Sequence, residues 1–329
     1  MYRFPVIFAK NVFFILDYRF TSISQNTFTF LYAYFLLVYN ENIYICPMSF
    51  YENTTIRIAI LDLNAGAENQ GMRCIREIIN QYGEYHHLHI ISTEYDVRNK
   101  IELPGTDHDI YISSGGPGSP VESIGAEWDN QYMDWLQMMH DFNSDEANSQ
   151  KKYIYFICHS FQLASRYYKI GELTRRKSTA FGVFPIHLLE DGKDEAVFDG
   201  MADPFYAVDS RDYQLVQPNH DRLEELGAKI LCIEKERSHV PYERAIMGIR
   251  FTEYCIGTQF HPEADAVGMT LHLQTADKKK TVIENYGFDK WESMIAQLND
   301  PDKIVWTYSH ILPNFLNIAV NRLQEVEAG

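Results

Sequence analysis

A cysteine lies where a nucleophile would be placed. Cys158 ends the apolar run YFIC and is followed at once by HSFQLASRYY, so it lies between a predicted buried strand and a predicted helix. A cysteine on such a turn lies near the helix N-terminus, where backbone N–H groups and the helix dipole favour the thiolate. The alternative interpretation is a small residue packed in a buried strand.

A histidine and a glutamate supply the groups that a nucleophilic cysteine requires. The stretch EYCIGTQFHPEAD is an apolar strand that ends in His261, and Glu263 follows two residues later. Side chains two residues apart leave a strand on the same side. We therefore predict that His261 acts as base and acid and that Glu263 orients it. An ordinary pair of polar residues at a strand end is the alternative.

A glycine-rich loop could stabilise the oxyanion of such a reaction. SSGGPGS follows another predicted strand and leaves backbone N–H groups open. The amides of Gly116 and His159 are predicted to hold the oxyanion, and Gly115 is predicted to contact the substrate. A glycine cluster can also be only a loop.

Alternating strands and helices must position these residues. Apolar runs of strand length alternate with stretches of helical spacing from Ile56 onward, and the helix MRCIREIINQYG is predicted to end at Gly83. This alternation predicts an α/β fold with a doubly wound, mainly parallel sheet flanked by helices. Ligands then bind at the carboxyl ends of the strands. Helical spacing after Asp265 predicts a C-terminal extension that packs on the core, with a lid or dimer surface as alternative.

Composition divides the chain into three parts. Residues 1–48 contain no glycine and an excess of Phe, Tyr, Ile, Leu and Asn, which predicts a non-core leader. The leader is interpreted as either a weak membrane anchor or an unnatural start, with Met48 as the natural first residue. Residues 49–265 are predicted to form the α/β domain and residues 266–329 the helical extension.

Charge, cysteine spacing and missing motifs exclude several classes of function. A formal net charge of −16 without long basic runs argues against nucleic-acid binding, and no membrane contact is expected of the core domain. Five cysteines without a CxxC pair indicate neither disulfides nor zinc, so we predict no metal, no cofactor and a reducing cytoplasm. No nucleotide-binding loop motif is present, so no ATP-using domain is predicted within the chain.

The three chemical blocks together resemble the class I glutamine amidotransferase superfamily, including the amidotransferase domain of GMP synthase. That family carries G-x-C-x-G-x-Q, H-P-E and Gly-Gly-Pro-Gly blocks in a flavodoxin-like fold. The resemblance implies that Cys158 attacks the side-chain amide of glutamine or a γ-glutamyl amide, which gives a thioester and ammonia. It also implies that Gln162 holds the substrate's amino-acid end and that a separate synthetase subunit could receive the ammonia.

Two residues depart from the family's pattern at the cysteine. Phe156 and Ser160 stand where the family has glycines, which relieve crowding at a strained turn. A bulky residue before the cysteine resembles the homoserine O-acyltransferases, so acyl transfer is an alternative function. A catalytically inactive binding protein of the same fold is a third hypothesis.

Overall fold

The structure is a computed structural model with one large mixed sheet, and the predicted leader lies outside the residues that it describes. The described residues are 55–67, 69–236, 243–298, 300 and 303–328. Among them no helix is long and apolar enough to cross a membrane.

Strands and helices alternate in the first half of the chain, and helices alone form the end. The strands are β1 Thr55–Asp62, β2 His89–Asp96, β3 Ile110–Ser113, β4 Tyr153–Ile157, β5 Glu172–Leu188, β6 Phe205–Val216, β7 Lys229–Glu234, β8 Ile246–Thr252 and β9 Cys255–Thr258. The helices are α1 Gln70–His86, α2 Glu127–Ser144, α3 His159–Tyr168, α4 Glu190–Lys193, α5 His220–Leu226, α6 Ala266–Gln274, α7 Ala276–Tyr286, α8 Phe288–Leu298 and α9 Ile304–Ala328.

The sheet has a parallel half and an antiparallel half. Its strand order is β2-β1-β3-β4-β9-β8-β6-β5-β7, and the first five strands pair in parallel. The remaining pairs are antiparallel. The predicted α/β class with a C-terminal helical extension is confirmed.

Helix α1 is longer than the sequence predicts. Gly83 does not end it, because the helix continues to His86 and His87 adopts the left-handed conformation with a φ of 56°. A side chain at position 83 would lie 3.2 Å from the Cδ1 atom of Ile90, so glycine here permits close packing against β2. The prediction was wrong because a glycine that serves packing resembles one that ends a helix.

The parallel strands bring the candidate residues to one edge of the sheet. Strands β1, β3, β4 and β9 are neighbours through β1-β3-β4-β9, so their carboxyl ends lie side by side. These ends lead into Leu63, the Ser114–Gly116 loop, Cys158 and His261. A shared strand direction therefore collects groups that are about 200 residues apart in the chain.

The last helix belongs to the main core. Ile311, Leu312 and Phe315 of α9 are buried in one cluster with residues of β1, β3 and β4. The ring of Phe315 lies 5.1 Å from that of Tyr155 in β4. Helix α9 therefore covers one face of the strand that leads to Cys158.

Candidate active site

Cys158 lies on a strained turn between β4 and α3. Its φ of 50° and ψ of −98° fall in a region that L-residues rarely adopt, and the side chain is buried. The backbone N–H of Cys158 donates to the carbonyl of Thr258 in β9 at 2.8 Å, which continues the parallel pairing to the end of β4. The turn ends the strand and points the cysteine to the edge where the other candidates lie.

Ser160 stabilises this turn with its hydroxyl. The oxygen accepts a hydrogen bond from the N–H of Ile157 at 2.8 Å and donates to the carbonyl of Ser113 at 2.7 Å. Ser160 is fully buried, so both bonds are shielded from water. The residue that departs from the family's glycine therefore ties the turn to the end of β3.

Phe156 fits because the strand beside it has a glycine opposite. Phe156 pairs with Gly257 of β9, and a side chain at position 257 would lie 2.9 Å from the Cβ atom of Phe156. The ring of Phe156 is buried and meets Phe251 edge to face at 5.9 Å. Its bulk therefore occupies the core beneath the turn.

His261 and Glu263 form the pair that the sequence predicts. The Nδ1 atom of His261 lies 2.8 Å from Oε1 of Glu263, and the glutamate is buried. The backbone N–H of His261 donates to the carbonyl of Val208 at 2.8 Å, which fixes the backbone from which the imidazole extends. With Nδ1 held by the carboxylate, the Nε2 atom remains for the sulfur.

The structure brings His261 and Cys158 together around Gly115. A Cβ atom on Gly115 would lie 2.9 Å from Cε1 of His261 and 3.5 Å from Cβ of Cys158. Burial lowers the pKa of His261, but the charges of Glu263 and of the Cys158 thiolate, with hydrogen bonds to both, raise it well above its ordinary value. The surroundings of His261 therefore favour its imidazolium form.

Helix α1 also contributes to this site. A side chain at Gly71, in the first turn of α1, would lie 2.9 Å from Oε1 of Glu263. The positive end of the helix dipole therefore lies beside this side chain. Oε2 of Glu263 is buried without a hydrogen-bond partner among the described residues. Gly71 was not predicted, and the sequence signal is its position just after the capping residue Asn69.

The predicted oxyanion donors lie beside the cysteine. The described residues supply no acceptor for the backbone N–H of Gly116 or of His159. A side chain at Gly116 would lie 2.2 Å from the carbonyl of Leu63, so only glycine lets the loop approach the end of β1. Both amides are thus available at the strand edge that carries Cys158.

The side chain of His159 is buried and neutral. Burial and the positive charges of Arg98 and Arg166 lower the pKa of His159 to about 3. Its Nε2 atom has no partner among the described residues, and its ring lies 6.3 Å from that of Trp128. This imidazole is therefore uncharged near pH 7.

Gln162 lies within a chain of buried amides. Its Nε2 atom donates to Oε1 of Gln259 at 2.9 Å and to the carbonyl of Tyr213 at 3.3 Å. Gln259 in turn donates to the sulfur of Cys158 at 3.6 Å, and the sulfur lies 3.7 Å from the carbonyl oxygen of Ser210. Gln259 and Ser210 were not predicted. Gln259 could have been found because it lies two residues before His261, on the same side of an extended chain.

The other described cysteines are less suited to act as nucleophiles. Cys74, Cys232 and Cys255 are free and buried. Burial raises the pKa of Cys74 to about 12, and it raises the pKa values of Cys232 and Cys255 as well. Only Cys158 among these four lies beside a histidine and carboxylate pair.

Comparison with protein families matches residues 69–272 to the family described as "Glutamine amidotransferase class-I". The matched range contains all of the candidate site residues. A comparison with curated protein sequences finds no significant match.

Two solved structures are similar in fold. A glutamine amidotransferase from Thermotoga maritima is 14% identical, with a TM-score of 0.57 over 82% of this chain and 99% of that one. A putative GMP synthase subunit from Thermoplasma acidophilum is 13% identical, with a TM-score of 0.52 over 84% of this chain and 100% of that one.

Proposed function

Because the chain belongs to the glutamine amidotransferase class-I family, we propose that it releases ammonia from the side-chain amide of glutamine or of a γ-glutamyl amide. The observation that carries this proposal is the strained turn that presents Cys158 to His261, whose other ring nitrogen is held by Glu263. Strain at a buried residue persists only where surrounding contacts enforce it, and such positions concentrate at active sites.

The first half of the reaction forms a thioester. His261 holds the proton of the Cys158 thiol as an imidazolium, and the sulfur attacks the side-chain carbonyl carbon of the substrate. The carbonyl electron pair moves to oxygen, where the amides of Gly116 and His159 donate hydrogen bonds to it. His261 passes its proton to the leaving nitrogen, the C–N bond breaks, and ammonia departs from the γ-glutamyl thioester.

The second half restores the enzyme. His261 removes a proton from water, and the resulting hydroxide attacks the thioester carbon. The C–S bond breaks, His261 returns its proton to the sulfur, and glutamate is released. Glu263 stabilises the imidazolium in each half.

The position of Phe156 removes the sequence argument for acyl transfer. Its ring lies in the core with Phe251 and Phe161, below the turn rather than beside the sulfur. The size of residue 156 therefore does not select a substrate. The same position removes the main argument for an inactive binding protein, since Gly257 leaves room for a side chain at position 156.

The destination of the ammonia belongs to the same proposal. The chain has no nucleotide-binding loop motif, so a synthetase that uses the ammonia is proposed to reside on a separate polypeptide. Simple hydrolysis of a γ-glutamyl amide is the alternative.

The free state of the described cysteines supports a reducing cytoplasm as the site of action.

Labelling with a chloroketone analogue of glutamine tests the nucleophile. Mass spectrometry of the full chain should find one adduct, on the peptide that contains Cys158. The Cys158→Ala variant should give none, whereas Cys255→Ala should label like the wild type because Cys255 is buried in β9. A wild-type chain that stays unlabelled would point to a binding protein.

Product analysis distinguishes the two enzymatic hypotheses. Ammonia released from glutamine is compared with acyl transfer from acetyl-CoA or succinyl-CoA to homoserine, using the same preparation. Ammonia release that disappears in Cys158→Ala supports the proposal. Acyl-homoserine formation without ammonia release would replace it.

A further inference from the structure

Two buried glutamines link helix α3 to the sulfur of Cys158. Gln162 and Gln259 are 3% and 0% exposed, and the Nε2 atom of Gln162 lies 2.9 Å from Oε1 of Gln259. The Nε2 atom of Gln259 then lies 3.6 Å from Sγ of Cys158. The mechanism above uses neither of these contacts.

The direction of this chain follows from a backbone carbonyl. The oxygen of Tyr213 can only accept, so the side-chain group of Gln162 that lies 3.3 Å from it must be the NH₂ group. The same NH₂ group also faces Gln259, which must therefore present its own oxygen to Gln162. The NH₂ group of Gln259 is left to face the sulfur. Each amide orientation is thus fixed by the one before it.

The sulfur meets opposite partners on its two sides. The carbonyl oxygen of Ser210, at 3.7 Å, can accept from the thiol but repels the thiolate. Gln259 can donate to either form and binds the negatively charged form more strongly. Burial of Cys158 removes water as a substitute donor.

We infer that Gln259 is a further catalytic residue, which stabilises the Cys158 thiolate, and that Gln162 is a positioning residue that orients the Gln259 amide. The inference rests on the proposed function in that it takes Cys158 as the nucleophile. It assigns Gln162 a role on the enzyme's own sulfur, in place of the substrate contact that the family resemblance implies.

The pH dependence of Cys158 alkylation tests the role of Gln259. Iodoacetamide reacts with the full chain in the absence of substrate, and mass spectrometry follows the peptide that contains Cys158. Gln259→Met keeps the side-chain length but removes the donor, so alkylation at pH 7 should slow about tenfold. The midpoint of the profile should move upward by about one pH unit. Gln259→Glu should slow alkylation further because a carboxylate then faces the thiolate.

A variant of Gln162 tests the positioning role. Gln162→Glu replaces the donor with acceptors, so the Gln259 amide should rotate to donate to the introduced carboxylate and turn its oxygen to the sulfur. Alkylation should then slow about as much as in Gln259→Met, although residue 162 does not touch the sulfur. The matched control is Gln214→Leu, since Gln214 bonds to Arg176 and lies one residue from Tyr213. It should alkylate at the wild-type rate.

The outcomes separate this inference from the proposed function. Unchanged alkylation profiles in Gln259→Met and Gln259→Glu, with slower alkylation in His261→Ala, would overturn the inference alone. A Gln162→Glu variant with normal alkylation and a raised KM for glutamine would return Gln162 to substrate binding. If neither His261→Ala nor the glutamine variants change the profile and no analogue labels Cys158, the proposed function fails. Thermal unfolding of each variant confirms that the compared proteins are folded.

Discussion

The two strand ends that form the site are built by different forces. The end of β4 is held by packing and neutral hydrogen bonds, with Phe156 in the core and Ser160 bonded to two backbone groups. The continuation of β9 is held by charge, through the contact of His261 with Glu263 at the N-terminus of α1. One end therefore sets where the sulfur of Cys158 lies, and the other sets where the ring of His261 lies.

This difference predicts different consequences of substitution. Changes at the β4 end, and in the β9 glycine that packs against Phe156, should appear first in the free energy of unfolding, because they disturb a close-packed core. Changes at the β9 end should appear first in the rate, because they alter proton transfer while leaving packing nearly intact. Each prediction below tests one side of this comparison.

Glu263→Gln should give the largest effect, on the rate alone. The amide keeps the shape of the side chain but cannot stabilise the imidazolium, so ammonia release should fall about a thousandfold. Steady-state kinetics with glutamine measures the fall, and chemical denaturation should show a folded protein. Glu253→Gln, at an exposed carboxylate beside Arg322, is the control and should keep full activity. A fall in activity explained by unfolding of Glu263→Gln would break the comparison.

Gly257→Ala should destabilise the fold by about 1–3 kcal/mol. The new methyl group would lie 2.8 Å from the carbonyl oxygen and 2.9 Å from the Cβ atom of Phe156, and both are held by the sheet. Denaturant unfolding measures the change. Gly105→Ala is the matched control, because its methyl group would meet only the Asp107 carboxylate at 3.4 Å. Equal stabilities of the two variants would show that the space beside Phe156 is not limiting.

Ser160→Gly should destabilise the fold by about 1–2 kcal/mol, although it restores the glycine of the family's pattern. The change removes the hydroxyl that bonds to Ile157 and Ser113 in a fully buried position. Ser160→Ala should lower the free energy of unfolding by a similar amount. Because alanine does not add the backbone freedom of glycine to the unfolded chain, this variant measures the contribution of the hydroxyl alone. The two unfolding curves measure this. A Ser160→Gly variant as stable as the wild type would mean that the turn needs no such support.

The smallest effect should be a pH dependence of the free energy of unfolding that comes from His159. Its pKa is about 3 in the folded protein and about 6.5 when unfolded, so the unfolded state binds the proton more readily between these values. Stability should fall as pH decreases through this window, by about 1 kcal/mol at pH 5.5. Unfolding at pH 7.5 and 5.5 measures the loss, which His159→Leu should lack. An equal loss in both proteins would assign the pH dependence to other groups.

The sequence was sufficient for the parts of the site that repeat a simple pattern. Cys158, His261 and Glu263 each follow an apolar run of strand length, and parallel strands must deliver such residues to one edge. Alternation of strands and helices predicts the fold class for the same reason. Both predictions rest on regularities within short windows of sequence.

Contacts between residues far apart in the sequence could not be predicted from short sequence patterns. Gly257 accommodates Phe156 from 101 positions away, so the strand containing Phe156 alone suggests a defect that the fold does not have. Ser210 in β6 and Gln259, just past the end of β9, reach the sulfur from other parts of the chain, and the sequence around Cys158 does not mark them as its partners. Helix α1 continues beyond Gly83, where the glycine allows β2 to pack closely against the helix. The role of Gly83 therefore also depends on a second element.

The pairing of Phe156 with Gly257 also limits which residues can replace either partner in relatives of this chain. A Cβ atom at position 257 would lie 2.8 Å from the backbone carbonyl oxygen of Phe156, so glycine is required there whatever side chain stands at position 156. Position 156 is freer, because a smaller residue there would only leave a cavity. We therefore expect relatives of this chain to keep glycine at position 257 even where residue 156 is small.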